Sequence, residues 1–390
     1  MNRSENVTGS HNGMPWLSRS AWDSASDLFC GDGRLDILFF SRGRGKGHAV
    51  PDLAIIHQFR KLCPDTRIVF VSYGSGAEVL ATAGESVIDL KLPDMTSFVS
   101  LLAPVGTLLS SSRSTLIVSH EEAAVLPIAK IFGLPTVYLT HWFTHPHDPF
   151  TQSLLHADEV LFMEREGLFP EPDGIKGRVK YVGPVLRRFR YHPEDRAGVR
   201  AEMGILADEK VILMLPGSWT EKMAATRELV LAAFQKVNSP RKRLIWVAGK
   251  DCEDLLRFTE GHADVQVAGI DMNLDRLMVA SDLAITKGTY CTSRELEALG
   301  IPSISLSHGR NFIDDFYARS IKSNSFLWAE ETEPVALARC VEAGLDQGLA
   351  VPDLKALTGH GAACVAAHLA EILQESSRTE PKSVWLGSDS

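Results

Sequence analysis

The sequence predicts an α/β protein made of two doubly wound, Rossmann-like domains that face one another across a cleft. Three observations carry this reading. Short apolar runs alternate with helical stretches along most of the chain, as in parallel sheets covered by helices. A Pro/Gly-rich break interrupts the alternation near the middle, and the alternation then restarts. Each half carries a glycine-bearing loop directly after its first strand, the place where open α/β sheets bind ligands.

The chain of 390 residues is long enough for two domains of ordinary size. Apolar residues make up 45% and charged residues 23%, the balance of a globular protein. A net charge of -9 argues against a general nucleic-acid binder, which needs a basic face. The six cysteines (Cys30, Cys63, Cys252, Cys291, Cys340 and Cys364) are scattered, with no CxxC and no Cys/His metal spacing. They read as reduced thiols of a cytoplasmic protein. No apolar run reaches the ~18 residues of a membrane span, and the N-terminal stretch lacks the apolar segment of a secretory signal. Residues 1–34 and 375–390 are polar and are expected to be disordered tails.

Residues 35–40 (LDILFF) form the first expected strand. Gly43, Gly45 and Gly47 then make a flexible loop, ahead of a helix that starts near Pro51 and carries Leu53, Ile56 and Phe59. This is not a P-loop, because Gly45-Lys46 is followed by Gly47 and not by Ser or Thr; nor does its third glycine match GxGxxG. Strands follow at 67–71, 87–90, 115–119, 135–139 and 157–162, with helices at about 74–84, 96–109 and 123–132 between them. The fourth strand ends at His120-Glu121-Glu122. His141, His145, His147 and Asp148 follow the fifth, but Pro146 and Pro149 break their spacing. A substrate-contacting loop is expected there, not a metal site.

The break falls between Val182 and Pro193, which divides the chain into domains over 35–185 and 186–345. Residues 346–374 hold a final alanine-rich helix expected to fold back on the first domain. In the second domain, strands are expected at 210–215, 243–247, 265–267, 283–285 and 303–306. Helices are expected at 223–237, 273–280, 314–321 and 334–345. Between 283 and 302 a buried strand meets a small polar turn, Lys287 to Ser293, then a helix from Arg294 that Gly300 caps. Backbone N–H groups and hydroxyls converge there over the positive end of a helix dipole, so the turn is an anion site that fits a diphosphate. Glu295, about one turn in, is placed to accept hydrogen bonds from a ribose diol.

Four segments together carry a family resemblance: Gly43-Arg44-Gly45-Lys46-Gly47-His48, Pro216-Gly217-Ser218, the stretch Lys287 to Pro302, and Asp314-Asp315. They resemble the motifs of GT-B glycosyltransferases. The likeness is greatest to the peptidoglycan N-acetylglucosaminyltransferase that makes lipid II and to the plant diacylglycerol galactosyltransferases. It spans about residues 35–345, densely from 265 to 321. The chain departs from the pattern in Asp314-Asp315, where the family usually has Gln-Gln or Asp-Gln. Arg44 and Lys46 also stand in place of small residues, and Tyr290-Cys291 is bulkier than the norm.

The resemblance implies inverting, metal-independent transfer of a sugar from a nucleoside diphosphate sugar, a UDP-sugar, to a hydroxyl acceptor, with no cofactor. It implies a donor site made by Gly45, Gly47, Gly217, Ser218, Gly288, Thr289, Thr292 and Ser293, with Glu295 on the ribose. The backbone at Ile270 would read the base, and Asp314 and Asp315 the sugar hydroxyls. His48 is the implied general base, with Glu121 as its rival. The acceptor is lipid-linked or soluble, and peripheral contact with the inner membrane face through Phe98, Val99, Leu101 and Leu102 is left open, as is the oligomeric state. Two alternatives stand beside this reading: a non-hydrolysing UDP-sugar 2-epimerase-like enzyme, and a non-catalytic nucleotide-sugar-binding subunit.

Overall fold

The structure is a computed structural model that describes residues 36–378, apart from 94–95, 112–113, 115, 144–148, 217–222, 249–251, 270–273 and 309–311. Residues 1–34 and 379–390 of the expected tails, the Gly217-Ser218 turn, Ile270 and the His145/His147/Asp148 segment therefore lie outside the described residues, whereas 375–378, expected as tail, continue the last helix.

The first sheet contains β1 (Ile37–Ser41), β2 (Ile68–Ser72), β3 (Val87–Asp89), β4 (Leu116–His120), β5 (Thr136–Thr140), β6 (Glu159–Phe162) and β7 (Val179–Tyr181). Its order is β3-β2-β1-β4-β5-β6-β7, and its neighbours pair in parallel. The second sheet contains β8 (Lys210–Leu215), β9 (Lys242–Val247), β10 (Val265–Ala268), β11 (Leu283–Thr286), β12 (Ser303–Ser307) and β13 (Asn324–Trp328). Its order is β10-β9-β8-β11-β12-β13, again parallel. The central strands β1, β2, β4 and β5 are buried along their whole length, as continuous apolar runs covered on both faces must be.

In each sheet the strand order reverses once: between β1 and β4 in the first, and between β8 and β11 in the second. A doubly wound sheet opens a crevice at the carboxyl end of that switch point. The glycine loop leaves β1 and the diphosphate-type turn leaves β11, so both sequence motifs sit at switch points.

The last helix, His360–Arg378, crosses back to the first domain. Val365, Ala366, Leu369 and Leu373 join a core with Ile37, Phe39, Ile55 and Phe59, and the helix lies along Ala49–Leu62.

Two details of the expected secondary structure are corrected. The helix after β11 starts at Tyr290, not at Arg294, so the turn is only Lys287-Gly288-Thr289. Thr289 takes the extended conformation of an N-cap, and the carbonyl it presents accepts the Ser293 N–H at 3.0 Å. The edge strands β7 and β13 were not expected. Both are half-exposed and lack the apolar run that marks a central strand.

Candidate active site

Three strand ends build the first-domain half of the site. β1, β4 and β5 are neighbours, with Ser41 opposite His120 and His120 opposite Leu139. The residues just beyond them, Arg42 to His48, Glu121 and His141, therefore converge. Glu121 is the hub. Its carboxylate accepts from the His48 Nε2–H at 2.9 Å and the Thr140 hydroxyl at 3.2 Å, and pairs with His141 Nδ1 at 2.9 Å. Arg42 stands 3.9 Å away. Burial pushes the Glu121 carboxyl up, but His141 and His48 outweigh it and hold the group well below the usual carboxylate range. The backbone of Glu121 is left-handed, with φ 55°, an uncommon conformation for a non-glycine residue. Strain of that kind persists where surrounding contacts over-determine it.

His48 occupies the N-cap of the Ala49–Leu62 helix without using its side chain as a cap. Burial lowers its pKa to about 4, against the raising effect of Glu121, so the imidazole is neutral at neutral pH. Glu121 is ionised and accepts only, which places the His48 proton on Nε2. Nδ1 is left as a buried lone pair with no hydrogen-bond partner.

Beneath it lies a pair that sequence reasoning missed. His120 Nδ1 meets Asp52 Oδ1 at 2.7 Å, with both residues fully buried, and the His120 ring packs edge-on against His48 at 4.7 Å. Burial lowers the His120 pKa, but the charge and hydrogen bond of Asp52 raise it overall. One atom each of His48, His120 and Glu121 lies within 4.8 Å of the others, so these are the described residues that a metal ion would use. The facing atoms of His48 and Glu121 are already committed to each other.

The second-domain half is the Lys287-Gly288-Thr289 turn, the Tyr290–Leu299 helix and the start of the Phe312–Ser320 helix. Gly288 has φ 85°, and a Cβ there would lie 3.0 Å from the Ser305 side chain, so glycine is required. Its N–H is held by the Thr286 hydroxyl at 2.9 Å. Asp315 accepts from the Ser307 hydroxyl at 2.8 Å. Burial raises the Asp314 carboxyl, opposed by Lys287, His141 and Arg44. Burial lowers the Lys287 ammonium, with Arg44 adding to the effect. Lys287 and Arg44 come from opposite domains and thus bring two cations to one patch of the cleft beside Asp314.

The two halves touch. The Tyr290 hydroxyl donates to the Met163 carbonyl at 2.6 Å, and the Cys291 thiol donates to the Gly47 carbonyl at 3.2 Å. The His141 ring stacks on Tyr290 at 3.9 Å and 10°, and the Tyr317 hydroxyl donates to the His141 carbonyl. Tyr290-Cys291, bulky where the family is small, thus forms part of the domain contact.

The structure brings His48, Gly45, Gly47 and Glu121 to one side of the cleft, and Gly288, Thr289, Thr292, Ser293, Asp314 and Asp315 to the other. The Ser293 N–H is consumed within the helix, and its hydroxyl is buried without a partner. Glu295 is buried, with Oε1 2.9 Å from Arg187 Nε and Oε2 unpartnered. Burial raises its pKa against the pull of Arg187. Arg187 and Asp52 were not singled out. His141 had been read as part of a substrate-contacting loop, and His120 had a signal in the sequence only as the neighbour of Glu121 at a strand end.

Two doubly wound parallel sheets with facing switch-point crevices make up the GT-B fold, and the chain has that fold. The calicheamicin glycosyltransferase CalG4 matches it with a TM-score of 0.61 at 16% identity, over 88% of this chain and 99% of that one. Arabidopsis thaliana UGT89C1 complexed with UDP-L-rhamnose matches with a TM-score of 0.63 at 14% identity, over 87% of this chain and 99% of that one. In sequence, the chain is 24% identical over 298 residues to the UDP-N-acetylglucosamine--N-acetylmuramyl-(pentapeptide) pyrophosphoryl-undecaprenol N-acetylglucosamine transferase of Carboxydothermus hydrogenoformans, covering 70% of this chain and 77% of the relative. No family model matches. The glycosyltransferase resemblance drawn from the motifs is borne out by these likenesses. Among the described residues, no helix is long and apolar enough to cross a membrane.

Proposed function

We propose that the chain is a glycosyltransferase that moves a sugar from a UDP-sugar to a hydroxyl acceptor, with inversion and without a metal. The observation that carries the reading is the His48–Glu121 pair, set beside the glycine turn and helix N-terminus of the second domain, where Cys291 meets the Gly47 carbonyl. The acceptor hydroxyl gives its proton to His48 Nδ1, the buried lone pair that has no partner. The acceptor oxygen then bonds to the anomeric carbon as the bond to the diphosphate breaks, and the electron pair leaves on the diphosphate oxygen. The N-terminus of the Tyr290–Leu299 helix, Lys287 and Arg44 stabilise that developing charge. Glu121 fixes the tautomer and stabilises the imidazolium as it forms, a positioning role. Asp314 and Asp315 take sugar hydroxyls, and Glu295 takes the ribose, with Arg187 holding it in place. A lipid-linked acceptor accords with the relative's name and with the exposure of Val99 (73%) and Leu102 (37%) on the Phe98–Ser111 helix. That would place the protein at the cytoplasmic membrane face.

The test is acceptor-dependent release of UDP. Purified protein is incubated with UDP-sugars alone and then with hydroxyl acceptors, lipid-linked and soluble. UDP and glycosylated product should rise together, only when acceptor is present. Epimerised sugar nucleotide without acceptor, or UDP binding with no turnover on any acceptor, would overturn the reading.

The depressed His48 pKa gives a pH expectation. The working form of the base is neutral, and burial keeps it neutral down to about pH 4, so the acid limb of kcat/KM should fall well below 6.5. The same shift affects stability. The unfolded chain takes up this proton near pH 6.5 and the folded chain only near 4. This contribution to stability is therefore present above 6.5 and is lost as pH falls from 6.5 towards 4. A pH–rate profile with its acid limb at an ordinary histidine value would contradict this.

A further inference from the structure

A cavity of about 300 Å³ lies where the chain passes between domains. Three segments enclose it: the Ala49–Leu62 helix, the connection at 187–192, and the returning chain at 357–362. The two crossings are in close contact, for a Cβ on Gly361 would collide with the Pro184 carbonyl.

The lining is cationic in a chain of net charge -9. His57, Lys61, Arg187, Arg188 and His192 face the cavity, and no carboxylate lines it. Arg187 is partly neutralised by Glu295. Among the described residues, no carboxylate pairs with Arg188, Lys61 or His57. Phe189, Leu357 and Ala362 are buried and supply an apolar floor. The positive field is felt locally: burial lowers the His57 pKa, and the charges of Arg188, Lys61 and Arg60 lower it further. Cations gathered around a cavity without counter-charges repel one another, and an anion in the cavity relieves that repulsion. Arginine and lysine at such a place suit a phosphate group.

We propose that this cavity binds a small phosphate-bearing anion and that the bound anion favours the domain arrangement seen here. The walls come from both domains and from both crossings, so the site is complete only in this arrangement. A ligand that binds only there shifts the population towards it. Arg187 joins the site to the donor half of the cleft, since its guanidinium also holds Glu295. The proposal does not depend on the transferase reading.

Isothermal titration with pyrophosphate, on the full chain, tests it. The comparison is between wild type and the Lys61→Ala/Arg188→Ala double variant, which alters two exposed side chains outside the catalytic cleft. Each titration is run with and without excess UDP, which fills the donor site. With UDP present, wild type should take up one equivalent of pyrophosphate, and the double variant should bind at least about tenfold more weakly. Identical isotherms for the two proteins, or no uptake by wild type in excess UDP, would overturn the proposal. Failure of UDP to bind at all would count against the transferase reading alone, because the cavity is still read from the difference between the two proteins.

Discussion

Replacing His48 with alanine is expected to lower kcat by about 10²–10⁴-fold, the usual contribution of a general base, and to leave UDP affinity unchanged. The reason is its placement. His48 belongs to the first domain, at the start of the helix after β1, and is not among the residues assigned to the diphosphate. Removing it takes away an interaction made only in the transition state, so kcat and kcat/KM fall together. Glu121→Gln separates the two candidates for the base. An amide at this position donates as well as accepts, so it no longer forces the His48 proton onto Nε2. Activity should fall by a comparable factor, because the wrong tautomer is as damaging as no base. Activity retained in His48→Ala but lost in Glu121→Gln would make the carboxylate the base.

Much of this half of the site was legible in the sequence. An apolar run followed by Gly43, Gly45, Gly47 and His48 marks a strand end and a helix mouth, and the run ending at His120-Glu121 marks another. Pairing between His48 and Glu121 was not legible, because it depends on β1 lying beside β4, with β2 and β3 wound to the other side. Nor was Asp52. It reads as an acidic residue in the first turn of a helix, and its partner His120 is 68 positions away. The same limit applied to Tyr290. Its bulk had no local explanation, and its hydroxyl turns out to bind the Met163 carbonyl in the other domain. Alternation and turn chemistry are local properties, whereas the domain contact is set by how two sheets meet.

That contact supplies the other large expected effect. Arg294 Nε donates to Glu164 Oε2 at 2.7 Å across the domain boundary, with side chains only 5% and 0% exposed. The guanidinium also donates to Glu297 at 2.7 Å and lies over the Tyr317 ring at 5.4 Å. Burying two charges costs heavily, and pairing offsets that cost only while both partners are present. Arg294→Ala strands the Glu164 carboxylate, whose remaining described donor is the Arg165 N–H at 2.8 Å. The expected loss is about 3–5 kcal/mol of unfolding free energy, read from urea denaturation, with one transition separating into two as the domains lose their coupling. Glu164→Met should also be costly, though less so, because the buried arginine keeps the partly exposed Glu297 carboxylate and the Tyr317 ring. The double variant Glu164→Met/Arg294→Met should be less destabilised than either single variant, because no buried charge remains without a partner. Single variants that each cost under about 1 kcal/mol and add in the double would place the pair with exposed ion pairs, and the domain contact would then rest on Tyr290 and Tyr317 instead.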